Sequence, residues 1–229
     1  MTIQDAHNAY NAGDYKKAKE LYTVFANQGE KVAQTSLGYI YQNGLECERD
    51  EEKALELYTK AAKQKEPYAL YNLGILYANG IGGVDHDQFK AHEYFLEAAT
   101  REVLPAMYEV ALMLERGLGC IQNTSEAAFW YEEGAKRGDA KCFNNLGVLY
   151  KDGIGVIQDN KRAFICFQRA ADAKLPEGLY NLGLMYDQGL GCDEDHDKAL
   201  EYARQAAHRG HKKAQMIIKT LQEDGKIVF

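Results

Sequence analysis

Two acid–histidine clusters, Asp85-His86-Asp87 and Asp195-His196-Asp197, are the residues of this chain best suited to chemistry. Carboxylates on either side of an imidazole can ligate a divalent metal. Five cysteines, Cys47, Cys120, Cys142, Cys166 and Cys192, are a second set, for zinc, disulfides or a nucleophile. No C-x2-C occurs among them, which argues against zinc. The two serines, Ser36 and Ser125, lack a lysine three residues on, so S-x2-K is absent. So are G-x-S-x-G, a glycine-rich phosphate loop and H-E-x2-H. A non-enzymatic protein with no catalytic residue, no metal and no cofactor is therefore expected.

The elements that would position these residues come from an internal repeat. Leu-Gly recurs as Leu37-Gly38, Leu73-Gly74, Leu146-Gly147 and Leu182-Gly183, with Val110-Ala111 filling the missing place at intervals of 36, 37, 36 and 36 residues. Four residues before each pair stands a small residue: Ala33, Ala69, Ala106, Cys142 and Gly178. Beyond the pair come Tyr41, Tyr77, Leu114, Tyr150 and Tyr186, then Gly44, Gly80, Gly117, Gly153 and Gly189. Apolar residues at i, i+4 and i+8 make one buried stripe of a helix, and the glycine after it suits a left-handed C-cap. A short loop then leads to Asp50, Asp87, Asn123, Asp159 or Asp195, each four residues before an alanine. These predict N-caps of a second helix, which ends on small pairs such as Ala61-Ala62 and Ala170-Ala171. The loop in the second copy is one residue longer, in the Gly82-Gly83 pair.

Within this frame the acid–histidine clusters separate. Asp87 caps as the last residue of its cluster and Asp195 as the first of its own, so His86 and His196 occupy different loop positions. Both read as solvated loop residues. Cys47, Cys120 and Cys192 all follow the loop glycine by three residues, where a small apolar group tucks under the loop. They belong to alternate repeats, ~20 Å apart at ~10 Å per stacked repeat, too far to pair with each other. Cys142 and Cys166 take core positions of the helices.

The pattern A-x3-L-G-x2-Y-x2-G, a loop, D-x2-K-A-x2-W/Y-Y and A-A resembles the Sel-1-like repeat, a relative of the tetratricopeptide repeat. Five copies are expected at 30–66, 67–103, 104–138, 139–174 and 175–210. Residues 5–29 are similar to a tetratricopeptide unit, with Ala6, Tyr10, a Gly13-Asp14-Tyr15 turn and Leu21-Tyr22. Residues 211–229 supply a last helix and an apolar Ile227-Val228-Phe229 tail that could cover its face. The resemblance implies an all-α solenoid, one domain of about thirteen helices in a continuous right-handed superhelix. It implies a function in binding proteins, with the first helix of each pair lining the concave side.

On that side the residues before each Leu-Gly pair are Tyr71-Asn72, Tyr108-Glu109, Asn144-Asn145 and Tyr180-Asn181. An amide both donates and accepts, as a peptide backbone requires, and tyrosine offers rigid contact area. The asparagines match, by resemblance, the position that holds peptide backbone in tetratricopeptide clamps. Asn79, Arg116, Lys151 and Gln188 stand where the copies disagree, the place for partner specificity. Basic residues that would clamp a C-terminal carboxylate are not reproduced.

A net charge of −7 with acids and bases interspersed argues against nucleic acid, whose phosphates need clustered Lys and Arg. No run of 18 apolar residues is present to span a membrane. The start Met1-Thr2-Ile3-Gln4-Asp5 lacks a secretory pattern, and an odd cysteine count suits a reducing, cytoplasmic setting. A protein or peptide is the expected partner, with an enzyme or toxin that this chain inhibits as the alternative, and hydrolysis as the remote one.

Overall fold

A computed structural model of the chain describes residues 2–223. Thirteen helices and no strands form among the described residues. They are α1 (Ile3–Asn11), α2 (Tyr15–Asn27), α3 (Lys31–Asn43), α4 (Glu51–Lys63), α5 (Pro67–Asn79), α6 (Gln88–Thr100) and α7 (Leu104–Arg116). There follow α8 (Thr124–Lys136), α9 (Ala140–Asp152), α10 (Asn160–Asp172), α11 (Pro176–Asp187), α12 (His196–His208) and α13 (Lys212–Glu223). The Ile227-Val228-Phe229 tail lies outside the described residues.

The repeat dictates where these helices start and stop. Asp50, Asp87, Asn123, Asp159 and Asp195 each hold extended backbone, and each side chain accepts a free N–H of the first turn of the following helix. Gly44, Gly80, Gly117 and Gly153 cap α3, α5, α7 and α9 in the left-handed conformation, with φ between 61° and 69°. In the fifth repeat the expected cap moves by one residue. α11 closes on Gln188 at φ −106°, and Gly189, at φ 60°, makes the turn after it.

The chain divides into two compact units, meeting in sequence at Gln122 and Asn123. In the first, each of α1 to α6 packs on the helix that follows it. In the second, α8 to α12 do the same, ending on α13. The Leu-Gly glycine sets the closeness of each hairpin. A Cβ on Gly38, Gly74 or Gly147 would lie 2.6 to 2.8 Å from the ring of Tyr58, Phe95 or Phe167 on the second helix. Those rings are almost wholly buried, and burying one is worth about 1.5–3 kcal/mol.

A second loop glycine does work that the repeat pattern left unassigned. Gly82, Gly119, Gly155 and Gly191 have φ between 67° and 78°, and their Cα atoms abut the first turn of the preceding repeat's second helix. A Cβ there would fall 2.0 to 2.8 Å from backbone of Glu51, Gln88, Thr124 or Asn160. Gly82 occupies that place in the longer loop, so the inserted residue is Gly83. Ser125 adds a clasp by donating to the Gly155 carbonyl at 3.0 Å.

Candidate interaction surface

In the first unit, Tyr71 and Asn72 are half-buried on α5, and the Tyr71 ring packs 5.6 Å from that of Phe95. Burial raises the Tyr71 pKa, and the Glu109 carboxylate on α7 adds to it. Tyr108 and Glu109 are likewise half-buried. Exposed Asn79 spends its amide at home, donating to the Ile75 carbonyl at 2.8 Å. Arg116 is exposed at the end of α7.

In the second unit the predicted amides meet. The Asn181 amide donates to Asn144 Oδ1 at 2.9 Å, Asn144 donates to Asn145 Oδ1 at 3.2 Å, and Asn145 donates to the Tyr131 hydroxyl at 2.9 Å. This chain of bonds links α11, α9 and α8. Asn144 is buried, so it acts by holding Asn145 and Asn181 rather than by meeting a ligand. Lys151 pairs with Asp152 at 2.9 Å, and Gln188 is exposed. The Tyr180 ring stacks on His211 of α13 at 4.3 Å.

The acid–histidine clusters take the separate places expected of them. His86 meets Gln88 at 2.8 Å, whereas His196 lies between Asp187 at 3.0 Å and Glu194 at 2.8 Å. Its bond to Asp187, and then the Glu194 charge, raise the His196 pKa above the usual imidazole value. Among the described residues no three His, Cys, Asp or Glu gather as a metal site. All five cysteines are free thiols. Cys47, Cys120 and Cys192 turn Sγ toward the carbonyls of Ile40, Met113 and Met185 at 3.5 to 3.9 Å, tucked under their loops. Burial pushes the Cys166 thiol up to about 11 and raises Cys142 as well, which disfavours the thiolate in both.

The sequence reading missed a repeated cation–aromatic contact. Lys53, Lys90, Arg162 and Lys198 lie 4.3 to 5.5 Å from the ring centres of Tyr41, Tyr77, Tyr150 and Tyr186. Each joins the two helices of one repeat. A base three residues after the cap, facing the tyrosine four after the leucine, was the available signal.

Capped helix pairs, packed through glycine on rings and presenting polar side chains from their first helices, define an all-α helical-repeat protein. The Sel1 repeat profile matches residues 12–30, 31–66, 67–102, 104–139, 144–175 and 176–211, and the chain belongs to the Sel1 repeat family. Proteins of this family generally serve as interaction scaffolds. A Sel1 repeat protein from Oxalobacter formigenes has a TM-score of 0.90 at 28% identity, over 96% of this chain and 87% of its own. A protective antigen of uropathogenic Escherichia coli with an SLR fold has a TM-score of 0.84 at 29% identity, over 92% of this chain. The present chain spans 45% of that antigen's length. An immunity protein from Pseudomonas aeruginosa shares the fold at 17% identity, with a TM-score of 0.54 over 89% of this chain and 81% of its own. No curated protein matches the sequence. Among the described residues no helix is long and apolar enough to cross a membrane.

Proposed function

We propose that this chain is a cytoplasmic scaffold or adaptor that binds a peptide segment or protein domain on the first helices of its repeats and catalyses no reaction. The observation that carries this reading is the bonded series Asn181–Asn144–Asn145–Tyr131. It fixes two half-buried amides in place, each with capacity left to donate or accept. Amides held before binding lose little rotamer freedom on meeting a partner's backbone. Tyr180 supplies apolar contact area in the same unit, and Tyr71 and Tyr108 supply it in the first unit. Arg116 and Gln188, exposed where copies differ, select among partners.

The test replaces Asn72, Asn145 and Asn181 by alanine together and compares proteins captured from native lysate, quantified by mass spectrometry. A defined set should fall away from the variant while its circular dichroism is preserved. Capture of the same proteins in the same amounts would mean that the asparagines do not bind.

A second reading, an inhibitor of a basic toxin or enzyme, is favoured by the charge of −7 and by the immunity protein that shares the fold. It predicts one partner at nanomolar affinity or tighter, whereas an adaptor binds several at about micromolar strength.

A further inference from the structure

Eight residues after the cap, the second helix of each of the first five helix pairs carries a buried ring: Tyr22, Tyr58, Phe95, Tyr131 and Phe167, none more than 3% exposed. The last second helix, α12, has Ala203 at this place. No ring lies over Gly183; a Cβ there would first meet the α12 backbone instead, at the Ala199 carbonyl, 3.1 Å away. A cavity of about 300 Å³ opens at this point. Gly183, Leu200, Ala203, Ile217 and Leu221 give it apolar walls, Tyr180 lies at one side, and Asp187 and His196 stand at its edge.

The first repeat supplies a template for what belongs there. Tyr58 occupies the place of Ala203, and its hydroxyl donates to Gln42 Oε1 at 2.8 Å. Gln42 stands five residues after its leucine, as Asp187 does after Leu182. The fifth repeat thus keeps the acceptor and lacks the phenol. Engineered apolar cavities of about 150 Å³ already accept benzene, so the space is ample for one ring. The edge carries Asp187, with Glu194 next to it, exposed at 51% and 60% of their side chains, and His196 bonded between them; two carboxylates against one imidazole leave it net negative.

We propose that this cavity is a binding site for a phenol, filled by a tyrosine side chain of a partner peptide with basic residues beside it. The ring enters against Gly183 and Ala203, its hydroxyl donates to Asp187, and the flanking positive charge faces Asp187 and Glu194. The peptide source rests on the interaction reading above, whereas the phenol site does not.

The test titrates the full chain with p-cresol and, separately, toluene, following the methyl resonances of Leu200, Ile217 and Leu221. Millimolar binding of p-cresol localised to those methyls is expected. Asp187→Ala should weaken p-cresol about tenfold and leave toluene unchanged, because only the phenol uses the carboxylate. Ala203→Phe should abolish binding of both, and should that variant not fold, the methyl shifts of the parent protein still locate the site. A lysine-flanked tyrosine peptide should then displace p-cresol, and its Tyr→Ala version should not. No p-cresol binding, or shifts away from these methyls, would overturn the site. Binding that emerges only after residues 224–229 are deleted would overturn the partner and assign the cavity to that segment. Failure of the peptide alone would overturn the peptide source and leave the phenol site standing.

Discussion

The fourth and fifth repeats are built on one plan and packed to different ends. Both start their second helix on an aspartate cap, Asp159 or Asp195, and both close it on paired alanines. In the fourth, Phe167 fills the space against Gly147 and is 0% exposed. In the fifth, Ala203 faces Gly183 and a cavity remains. The same backbone therefore tolerates loss of the central ring, provided the caps, the close glycine and the loop contact are kept. Packing volume is the freer variable of the repeat, and its backbone geometry the fixed one.

The largest effect should come from making the fourth repeat resemble the fifth. Phe167→Ala removes a fully buried ring and should cost about 3–5 kcal/mol. The reverse change, Ala203→Phe, fills existing space and should gain about 1 kcal/mol. Urea unfolding followed by Trp130 fluorescence reads both, because the only tryptophan lies in α8 of the same unit. A small loss for Phe167→Ala would mean that α9 and α10 collapse onto each other and that the ring is not the centre of the repeat.

Next comes a place where the two repeats agree. Gly155 and Gly191 have φ 70° and 73°, and a Cβ on either would lie 2.2 to 2.4 Å from backbone of Thr124 or Asn160. Gly155→Ala combines backbone strain with overlap that no side-chain rotation relieves, and should cost about 2–3 kcal/mol. Gly191→Ala should cost as much. A large difference between the two would break the idea that loop geometry is held constant, and the same denaturation curves decide it.

Much of this was legible in the residues. The period of 36, the caps and the Leu-Gly pair fix which faces are buried, because a helix cap and a glycine under a ring are local requirements. The candidate surface was less so. Asn144, Asn145 and Asn181 read in sequence as ligand contacts, yet Asn181 bonds to Asn144, 37 residues away, a contact that spacing alone does not reveal. The vacancy at Ala203 was equally hidden, since one alanine among several in α12 reads as ordinary helix until the ring's absence is seen in space.

A smaller effect distinguishes the caps by charge. The Asp195 pKa is lowered chiefly by the backbone N–H of Lys198 and then by the Lys198 side chain. A carboxylate with a folded pKa below its unfolded value stabilises the fold at pH above the unfolded value, about 4, and loses that contribution as pH falls through the folded one. Asp195→Asn keeps an amide cap of the kind Asn123 provides in α8 and removes the charge. Its urea midpoint should trail the parent's at pH 6 and converge with it toward pH 3. A gap that stays constant across that range would show that the charge contributes nothing to the cap.

The smallest effect concerns the turn out of each second helix. Lys174 leaves α10 at φ 61°, whereas the matching residue after α12 is Gly210 at φ 89°. A side chain in left-handed backbone costs energy that glycine does not, and nothing within 4 Å of Gly210 explains a need for glycine beyond its backbone. Lys174→Gly should therefore gain about 0.5–1 kcal/mol, offset in part by the greater freedom of glycine in the unfolded chain. Gly210→Lys should lose a similar amount. If both changes destabilise, the lysine makes a compensating contact in its own repeat, and the two turns are not equivalent despite their matching positions.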